Sequence, residues 1–432
     1  MSGHGHGVLA ALVLALGVAC QGGGRVDFRV HATEGDTPYR GADRVVIAVE
    51  RSGQVDPSSA VEFDADAAQW PVPDIDYGQD LRLRVEARAG SLVLARGRSF
   101  PFDMEGPEDR PSADVWLGSL GSFGAVHEGV AARGLRPRQG GAFGVDGTGM
   151  RFDVMAHGTE AGTLEVRHTP ADLAGLAWFP GQEGALHGIR AERWVRLEAQ
   201  SSLSERLETG YAPGSGVAAF EDGLLIARPD GVLLALIGEP GASTRRDVGR
   251  LAGPFDEVDA VPVPVGDTTR VVVLAGDALF VVDPTGDRPP SRVEGTAAHG
   301  AVLAPLAPGL VAVVGGVDAE GPVDEVLLLV LGGDRPRLLR PPPLFEARRN
   351  PAVVRLSEGL VLIAGGVGVE GALASAELFQ VGLADLPGDV SVTGSLPFRM
   401  PSPRGTRLAD GSVLIVGAEG CALYFDPRDP AP

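Results

Sequence analysis

The chain has 432 residues, 44% of them hydrophobic, and carries a formal net charge of −20 at pH 7. That length allows more than one domain, and the apolar content is too high for a disordered chain. An acidic protein is repelled by phosphate backbones, so we expect no nucleic-acid partner. All 37 basic residues are Arg, which excludes a lysine Schiff base and a P-loop lysine.

The chain begins with features of an exported protein. Residues 8–19 form an apolar run of about a dozen residues, which suits the core of a signal peptide and is shorter than the roughly 20 residues of a membrane-spanning helix. A Gly-Val-Ala sequence then precedes Cys20, and Gln21 follows it. The segment resembles the lipobox of bacterial lipoproteins, in which the cysteine is lipidated and becomes the new N-terminus.

This resemblance implies a signal peptide over residues 1–19 and a lipidated Cys20 with a short tether over residues 20–24. The protein would then be an exported lipoprotein, held on a membrane by the lipid on Cys20. Because Gln21 is not the Asp that favours inner-membrane retention, the expected location is the outer membrane of a Gram-negative bacterium. The alternative is plain secretion with Cys20 unmodified.

Residues 25–118 have the pattern of a small β-domain. Apolar residues at positions 81, 83, 85 and 87 alternate with charged residues, which places the apolar side chains on one face of a strand. Six or seven such short runs, separated by Pro and Gly clusters, predict an immunoglobulin-like β-sandwich. Trp70 and Trp116 are the expected core aromatics. Three aspartates near Gly78 fail the spacing of a calcium-binding EF-hand loop, so a solvated turn is expected there.

A recurring hairpin occupies residues 119–430. Each copy has a strand, a tight turn closed by Gly, and then a continuous apolar strand. The turn glycines are Gly147, Gly184, Gly223, Gly266, Gly309, Gly359 and Gly411. Their spacing of 37 to 52 residues fits one four-stranded blade of a β-propeller per unit. The count favours seven blades, with six as the alternative. The last unit is one strand short, and residues 123–127 could supply that strand and close the ring.

Within this region, residues 346–399 carry the most detailed pattern. An Arg precedes the first strand, a diglycine follows the second, a Glu-Leu-aromatic run forms the third, and a Thr-Gly turn leads onward. These residues are Arg348, Gly365-Gly366, Glu377-Leu378-Phe379 and Thr393-Gly394, and Gly315-Gly316 repeats the diglycine. In these features the chain resembles kelch-type propellers, including the galactose-oxidase-like repeats of bacterial lipoproteins. The resemblance implies a kelch-like propeller that presents loops around a central channel.

Several patterns that could indicate an enzyme do not hold up. Gly366, Gly368 and Gly371 match the glycines of a dinucleotide fingerprint, but the residues after them read as another strand where a helix is required. Copper chemistry of the galactose-oxidase type would need tyrosines, a cross-linked Cys and two His. Here Cys421 and Tyr424 fall on one predicted strand, and the histidines lack ligand spacing. We therefore predict no catalytic residues, no metal site and no cofactor.

Two sets of charged residues in the sequence could also have a function. The acidic pairs Asp256-Glu257 and Asp318 with Glu320 fall in predicted turns, where solvation is their simplest role. A basic run of Arg335, Arg337, Arg340, Arg348 and Arg349 could meet an acidic partner, or could simply belong to the connections between blades.

The sequence thus predicts an all-β chain: an immunoglobulin-like β-sandwich followed by a kelch-type propeller. The expected function is a non-catalytic binding or scaffold module of the cell envelope, which acts through its propeller loops on a protein or glycan partner. The alternative is a carbohydrate-binding or carbohydrate-processing envelope protein, which predicts aromatic and acidic residues clustered on one propeller face.

Overall fold

The computed structural model describes residues 14–16, 26–33, 36–67, 70–127, 129–138, 141–146, 148, 150–155, 163–167, 173, 176–181, 184–199, 201–332, 335–382 and 388–428. Within these residues the chain is built from short β-strands, with one 3-10 helix at Pro57–Ser59. No helix in the described part is long and apolar enough to cross a membrane.

The N-terminal strands form one continuous hydrogen-bonded arrangement. They are β1 (Leu14–Leu16), β2 (Asp27–Ala32), β3 (Arg44–Arg51), β4 (Gln54–Val55), β5 (Val61–Asp64), β6 (Gly78–Ala89), β7 (Leu92–Arg98), β8 (Phe102–Met104) and β9 (Ser112–Ser119). The strand order is β1-β2-β9-β7-β6-β3-β4, with β5 on β3 and β8 on β6, and β2 runs parallel to β9. This unit is all-β, and its assignment as an immunoglobulin-like β-sandwich and the domain boundaries stay predictions.

The alternating apolar residues along β6 face the core, as the sequence predicts. Leu81, Leu83, Val85 and Ala87 are fully buried in the core of this unit, which also contains Trp70. Trp116 is buried as well, but it packs with propeller residues in a second core cluster. Both tryptophans are therefore core aromatics, as predicted.

A buried carboxylate on β6 is held by arginines. Burial raises the pKa of Glu86, but hydrogen bonds from Arg84 and Arg88 outweigh burial and lower that pKa from 4.5 to about 2. The Arg84 and Arg88 Nη2 atoms lie 2.6 and 2.5 Å from the carboxylate oxygens, and Arg96 Nε lies 3.0 Å away. A depressed carboxyl pKa stabilises the fold above about pH 4.5, and this contribution is lost as the pH falls through about 2.

We therefore expect Glu86→Gln to lower the free energy of unfolding at pH 7 by on the order of 3 kcal/mol. Urea denaturation at pH 7 and at pH 3 measures this loss, which should be smaller at pH 3. The control is Glu62→Gln, because Glu62 forms an exposed ion pair with Arg44 and such pairs contribute little. Equal stability of Glu86→Gln and the parent protein at pH 7 would contradict the assignment.

The propeller begins with β10 (Phe123–His127), which belongs to its last blade. The other strands of the seven blades follow in chain order, labelled A to D from the inside outward. They are β11 (Ala132–Arg138), β12 (Gly141–Asp146), β13 (Arg151–Met155) and β14 (Thr163–Arg167); β15 (Ala177–Pro180), β16 (Leu186–Arg190), β17 (Arg193–Leu197) and β18 (Ser202–Glu205); β19 (Gly216–Phe220), β20 (Gly223–Ala227), β21 (Val232–Ile237) and β22 (Thr244–Arg250); β23 (Val258–Val265), β24 (Thr268–Ala275), β25 (Ala278–Val282) and β26 (Ser291–Arg292); β27 (Val302–Ala307), β28 (Leu310–Val314), β29 (Val326–Val330) and β30 (Arg337–Leu339); β31 (Ala352–Ser357), β32 (Leu360–Ala364), the small hairpin β33 (Val367–Gly368) and β34 (Gly371–Ala372), β35 (Ala376–Gln380) and β36 (Asp389–Val392); and β37 (Arg404–Arg407), β38 (Val413–Gly417) and β39 (Gly420–Tyr424).

The inner strands close into a ring. Each A strand contacts the A strand of the next blade, in the order β11, β15, β19, β23, β27, β31, β37 and back to β11. The last blade takes its fourth strand from the N-terminal side, since β10 pairs antiparallel with β39. The fold is a seven-bladed β-propeller.

The prediction that residues 123–127 close the ring is confirmed. In that pairing Phe123 lies opposite Tyr424 and Ala125 opposite Ala422. The Thr393 hydroxyl, in the Thr-Gly turn, lies 2.8 Å from the Tyr424 hydroxyl and donates to the Gly121 carbonyl. The Thr-Gly turn therefore ties the sixth blade to the closing strand.

One predicted turn is misplaced, although the count of seven blades is confirmed. Gly147 lies outside the described residues, but in chain order it falls between the end of β12 and the start of β13, the B and C strands of the first blade. The A and B strands of that blade are instead β11 and β12, which pair antiparallel with Arg138 opposite Gly141. The remaining turn glycines, from Gly184 onward, all lie at A–B connections or begin a B strand. The error arose because Asp146 caps its own turn by accepting from the Thr148 and Met150 amides, which imitates the A–B turn pattern.

The antiparallel order gives the propeller two faces. A–B and C–D turns lie on one face, while B–C turns and the D–A connections between blades lie on the other, here called the mouth face. The N-terminal unit packs on the first of these: Arg82 Nη1 donates to the Ala409 carbonyl in an A–B turn at 2.7 Å. The mouth face, with D–A connections such as 211–215 and B–C turns such as 276–277, lies opposite this contact.

The Arg and diglycine residues of the pattern over 346–399 have structural roles. Arg348 is fully buried, and its Nη2 lies 2.6 Å from Glu377 Oε1, while its Nη1 donates to the Gly365 carbonyl. Each diglycine receives the chain that enters the next blade: Gly316 N donates to Arg348 O and Gly366 N to Met400 O. At Gly315 the positive φ of 63° and the approach of the Arg348 carbonyl leave no room for a Cβ atom.

Candidate binding channel

The ring of inner strands encloses a central channel. Its volume is about 1030 Å³, and it is lined by side chains of β11, β15, β23, β27, β31 and β37. The lining continues into D–A connections and a B–C turn, at Ser215, Glu257, Gly276, Gly300 and Asn350, so the channel opens on the mouth face. A cavity of this size has room for a small organic ligand.

Arginines from three adjacent blades face this channel. They are Arg355 on β31, Arg404 on β37 and Arg133 on β11, and all three are exposed to the channel space. Their strands are neighbours in the ring. Among the described residues, none of the three forms a hydrogen bond or an ion pair with the protein. We call these three residues the arginine arc.

The electrostatics of Arg404 reflect this setting. Burial within the channel lowers the pKa of its guanidinium, Asp259 opposes that change, and Arg133 adds to it. Arg404 is therefore close enough to sense one like and one opposite charge, without a direct ion pair to either.

An acidic residue lies across the channel from the arc. Asp259 is on β23 of the fourth blade, which faces the seventh and first blades across a seven-membered ring. Its Oδ1 accepts from the Ala260 amide at 2.8 Å. Burial raises the pKa of Asp259 from 3.8 to about 6; the Ala260 and Leu303 amides and Arg404 oppose the rise, and Glu257 adds to it. Asp259 thus changes its charge in the mildly acidic range.

The wall near the second blade is aromatic. Trp178 and Phe179 of β15 line the channel together with Tyr211 from the following connection, and the Phe179 and Tyr211 ring centroids are 6.4 Å apart. Nearby, Arg136 donates to the Gly181 and Ala185 carbonyls, and burial lowers its pKa to about 10. This side of the channel offers flat rings and a guanidinium that the backbone holds in place.

Apart from Glu257, the described residues that were singled out in the sequence lie outside the channel. Cys20 is outside the described residues. Gly368 and Gly371 belong to the β33–β34 hairpin, and the strand predicted after them is present as β35. Cys421 and Tyr424 share β39, as predicted, and burial raises the pKa of the Cys421 thiol to about 12. No group of three or more His, Cys, Asp or Glu side chains within the described ranges could hold a metal ion.

The charged groups flagged in the sequence separate in the structure. In the basic run, Arg348 is buried against Glu377 and Arg340 pairs with Glu325, so these two belong to blade connections. Arg335 and Arg337 are exposed on the outside of the fifth blade. The Asp318 carboxylate accepts from the Glu320 and Gly321 amides in a turn, as expected for a solvated loop. Glu257, by contrast, lines the channel mouth.

Sequence reasoning missed the arginine arc and Asp259. Their strands are separated by up to about 270 residues, and only ring closure brings them together. One signal was present: a charged residue interrupts an otherwise apolar inner strand, as Arg355 does in AVVRLS and Asp259 does in VDAVPV. An inner strand that faces only protein would have no use for such a residue.

Two solved structures align with the chain at low sequence identity. A solved structure described as that of YjhT aligns with a TM-score of 0.39 at 13% identity, over 56% of this chain and 90% of that chain. The WD40 repeats of RRP9 align with a TM-score of 0.48 at 13% identity, over 70% of this chain and 96% of that chain. No protein-family model and no curated protein matches the chain.

Proposed function

We propose that this protein is a non-catalytic binding module of the bacterial envelope, whose ligand enters the central channel from the mouth face. The observation that supports it is the 1030 Å³ channel, whose wall carries the arginine arc. Among the described residues, no protein group forms a hydrogen bond or an ion pair with these three arginines. Part of the opposite face is covered by the N-terminal unit, and the mouth face carries the loops. A propeller fold is compatible with such a role, and loops around a channel are its usual recognition surface.

Attachment to the outer membrane through Cys20 is the second part of the proposal, and it rests on the Gly-Val-Ala-Cys sequence alone. Cys20→Ser should abolish incorporation of an alkyne-labelled fatty acid and move the protein out of the membrane fraction. The matched control is Cys421→Ser, because the buried Cys421 side chain is not expected to be modified. Equal fatty-acid labelling of Cys20→Ser and the parent protein would show that Cys20 is not the anchor.

Blocking the channel tests the binding role. Val302 lines the channel on β27 and is not part of the arc, and Val302→Trp would fill part of the channel. When envelope extract is passed over the immobilised full chain, the chain should retain a ligand, either a protein or a small molecule, which mass spectrometry identifies. We expect at least a tenfold loss of that ligand with Val302→Trp, since steric exclusion removes the contacts that hold it.

The matched control for this experiment is Val392→Trp. Val392 is exposed on β36, the outermost strand of the sixth blade, so the same substitution there should leave ligand capture unchanged. Both variants must show parent-like thermal unfolding. Equal capture by Val302→Trp and the parent protein would show that the channel is not the binding site.

Carbohydrate binding is the second candidate, favoured by the aromatic wall. Phe179 and Tyr211 present rings to a channel that also holds Asp259 and Glu257, the combination of aromatic and acidic groups that this alternative predicts. A glycan array probed with the parent protein and with Phe179→Ala separates the two candidates. Glycan signals that disappear with Phe179→Ala would favour carbohydrate binding, and an array without signal would count against it.

A further inference from the structure

We infer that the channel ligand carries an oxyanion group, a carboxylate or a sulfate- or phosphate-like group, and that Arg133, Arg355 and Arg404 bind it. This inference rests on the proposed function and adds the chemical class of the ligand. The starting observation is that three guanidinium groups from adjacent blades face one cavity, in a protein with a net charge of −20.

The placement of the arc is electrostatically unfavourable without a ligand. Several other buried or half-buried arginines of the chain have a carboxylate partner, as Arg348 has Glu377 and Arg270 has Asp283, or are held by backbone carbonyls, as Arg136 is. In the arc, Arg404 and Arg133 repel each other, and the one carboxylate that Arg404 senses across the channel is Asp259. An anion bound by Arg404 and Arg133 would remove this repulsion inside a partly desolvated cavity, where charge interactions are strong.

The chemistry of arginine defines the ligand group further. Guanidinium donors form a planar fork that matches two oxygens of a carboxylate, sulfate or phosphate group. The forks of Arg404 and Arg133, whose charges act on each other, can bind one oxyanion, and Arg355 adds a third positive charge to the same channel. The aromatic wall formed by Trp178, Phe179 and Tyr211 leaves apolar surface for the remainder of an organic ligand.

Asp259 makes the binding depend on pH. The charged groups that face it are Glu257 at the channel rim and Arg404 across the channel, and its other neighbours are the Ala260 and Leu303 amides. When Asp259 is ionised its charge offsets part of the field of the arc. Protonation as the pH falls removes that negative charge, so anion affinity should rise toward acidic pH.

The test uses the full chain in mild detergent and isothermal titration calorimetry at constant ionic strength. The probes are sulfate, as the tetrahedral oxyanion, oxalate, as the carboxylate, and glucose as a neutral control. We expect sulfate or oxalate to bind and glucose not to bind, and the stronger of the two anions identifies the group. Arg404→Gln and Arg355→Gln should each weaken anion binding by about tenfold, the usual effect of losing a charge-assisted hydrogen bond.

The matched control is Arg337→Gln, an exposed arginine on the outer strand of the fifth blade, which should leave the affinity unchanged. Sulfate stays doubly charged between pH 5 and pH 8, so its affinity reports on the protein alone. In the parent protein it should rise about three- to tenfold between pH 7.5 and pH 5. In Asp259→Asn it should be high at both pH values.

Anion binding that is equally strong in the arc variants and in Arg337→Gln would overturn the inference, and so would an absence of sulfate and oxalate binding to the parent protein. Capture of an envelope ligand that Val302→Trp abolishes but that the arc variants leave intact would keep the proposed function and reject the oxyanion. If neither Val302→Trp nor the arc variants lose capture of the envelope ligand, both the proposed function and the oxyanion inference are rejected.

Discussion

Replacing Arg348 with Met should lower the free energy of unfolding by about 3–5 kcal/mol, because it leaves the Glu377 carboxylate buried without its counter-ion. Arg348 has no exposed surface, and its Nη2 lies 2.6 Å from Glu377 Oε1. The guanidinium also holds the Gly365 and Ser375 carbonyls, so one side chain joins the chain entering the sixth blade to two of its strand ends. Urea denaturation followed by intrinsic fluorescence measures the loss.

The seventh blade supplies the control for this prediction. Met400 takes the place of Arg348 there, since Gly366 N donates to its carbonyl as Gly316 N does to that of Arg348. Ala422 lies opposite Ile415 as Glu377 lies opposite Ile363, so an apolar pair replaces the ion pair. Arg348→Met combined with Glu377→Ala should therefore be more stable than Arg348→Met alone. A double variant no better than the single one would show that the uncompensated carboxylate is not the cause of the loss.

This comparison also explains which part of the fold could be predicted from the sequence. The A–B turn glycines recur in most blades because each blade has the same packing problem, and the diglycine recurs in the fifth and sixth blades. The diglycine before Arg348 needs positive φ and close backbone approach, which only glycine allows. Because such requirements fix the residue type, they recur in the sequence, and seven blades could be counted from them.

The same reasoning shows why the channel could not be predicted. The channel wall is assembled from residues of all seven blades and their connections, and the packing of a single blade does not require Arg in preference to Val at a position on that wall. Arg404 in the seventh blade and Asp259 in the fourth meet only across the closed ring. The N-terminal strands posed a related problem, because the parallel pairing of β2 with β9 joins segments more than 80 residues apart.

Ring closure itself carries the second large effect. Val126 on β10 is 4% exposed and packs with Leu414, Val416 and Leu423 of the last blade. Val126→Asp would place a carboxylate in that apolar cluster, and we expect a loss of more than about 3 kcal/mol in the free energy of unfolding. Because β10 is the outer strand paired with β39, its release would leave the edge of β39 unpaired.

An unpaired strand edge is a template for association, so the closure defect should differ in kind from ordinary destabilisation. Size-exclusion chromatography with light scattering should show oligomers for Val126→Asp well below its unfolding midpoint, whereas Arg348→Met should stay in the parent state until it unfolds. The matched control is Val392→Asp on the exposed outer strand β36, where the edge already faces solvent and the side chain is 69% exposed. If Val126→Asp unfolds without associating, β10 remains paired with β39 and other contacts hold the ring closed. The hydrogen bonds of Thr393 with Gly121 and Tyr424 are the first of these contacts to remove.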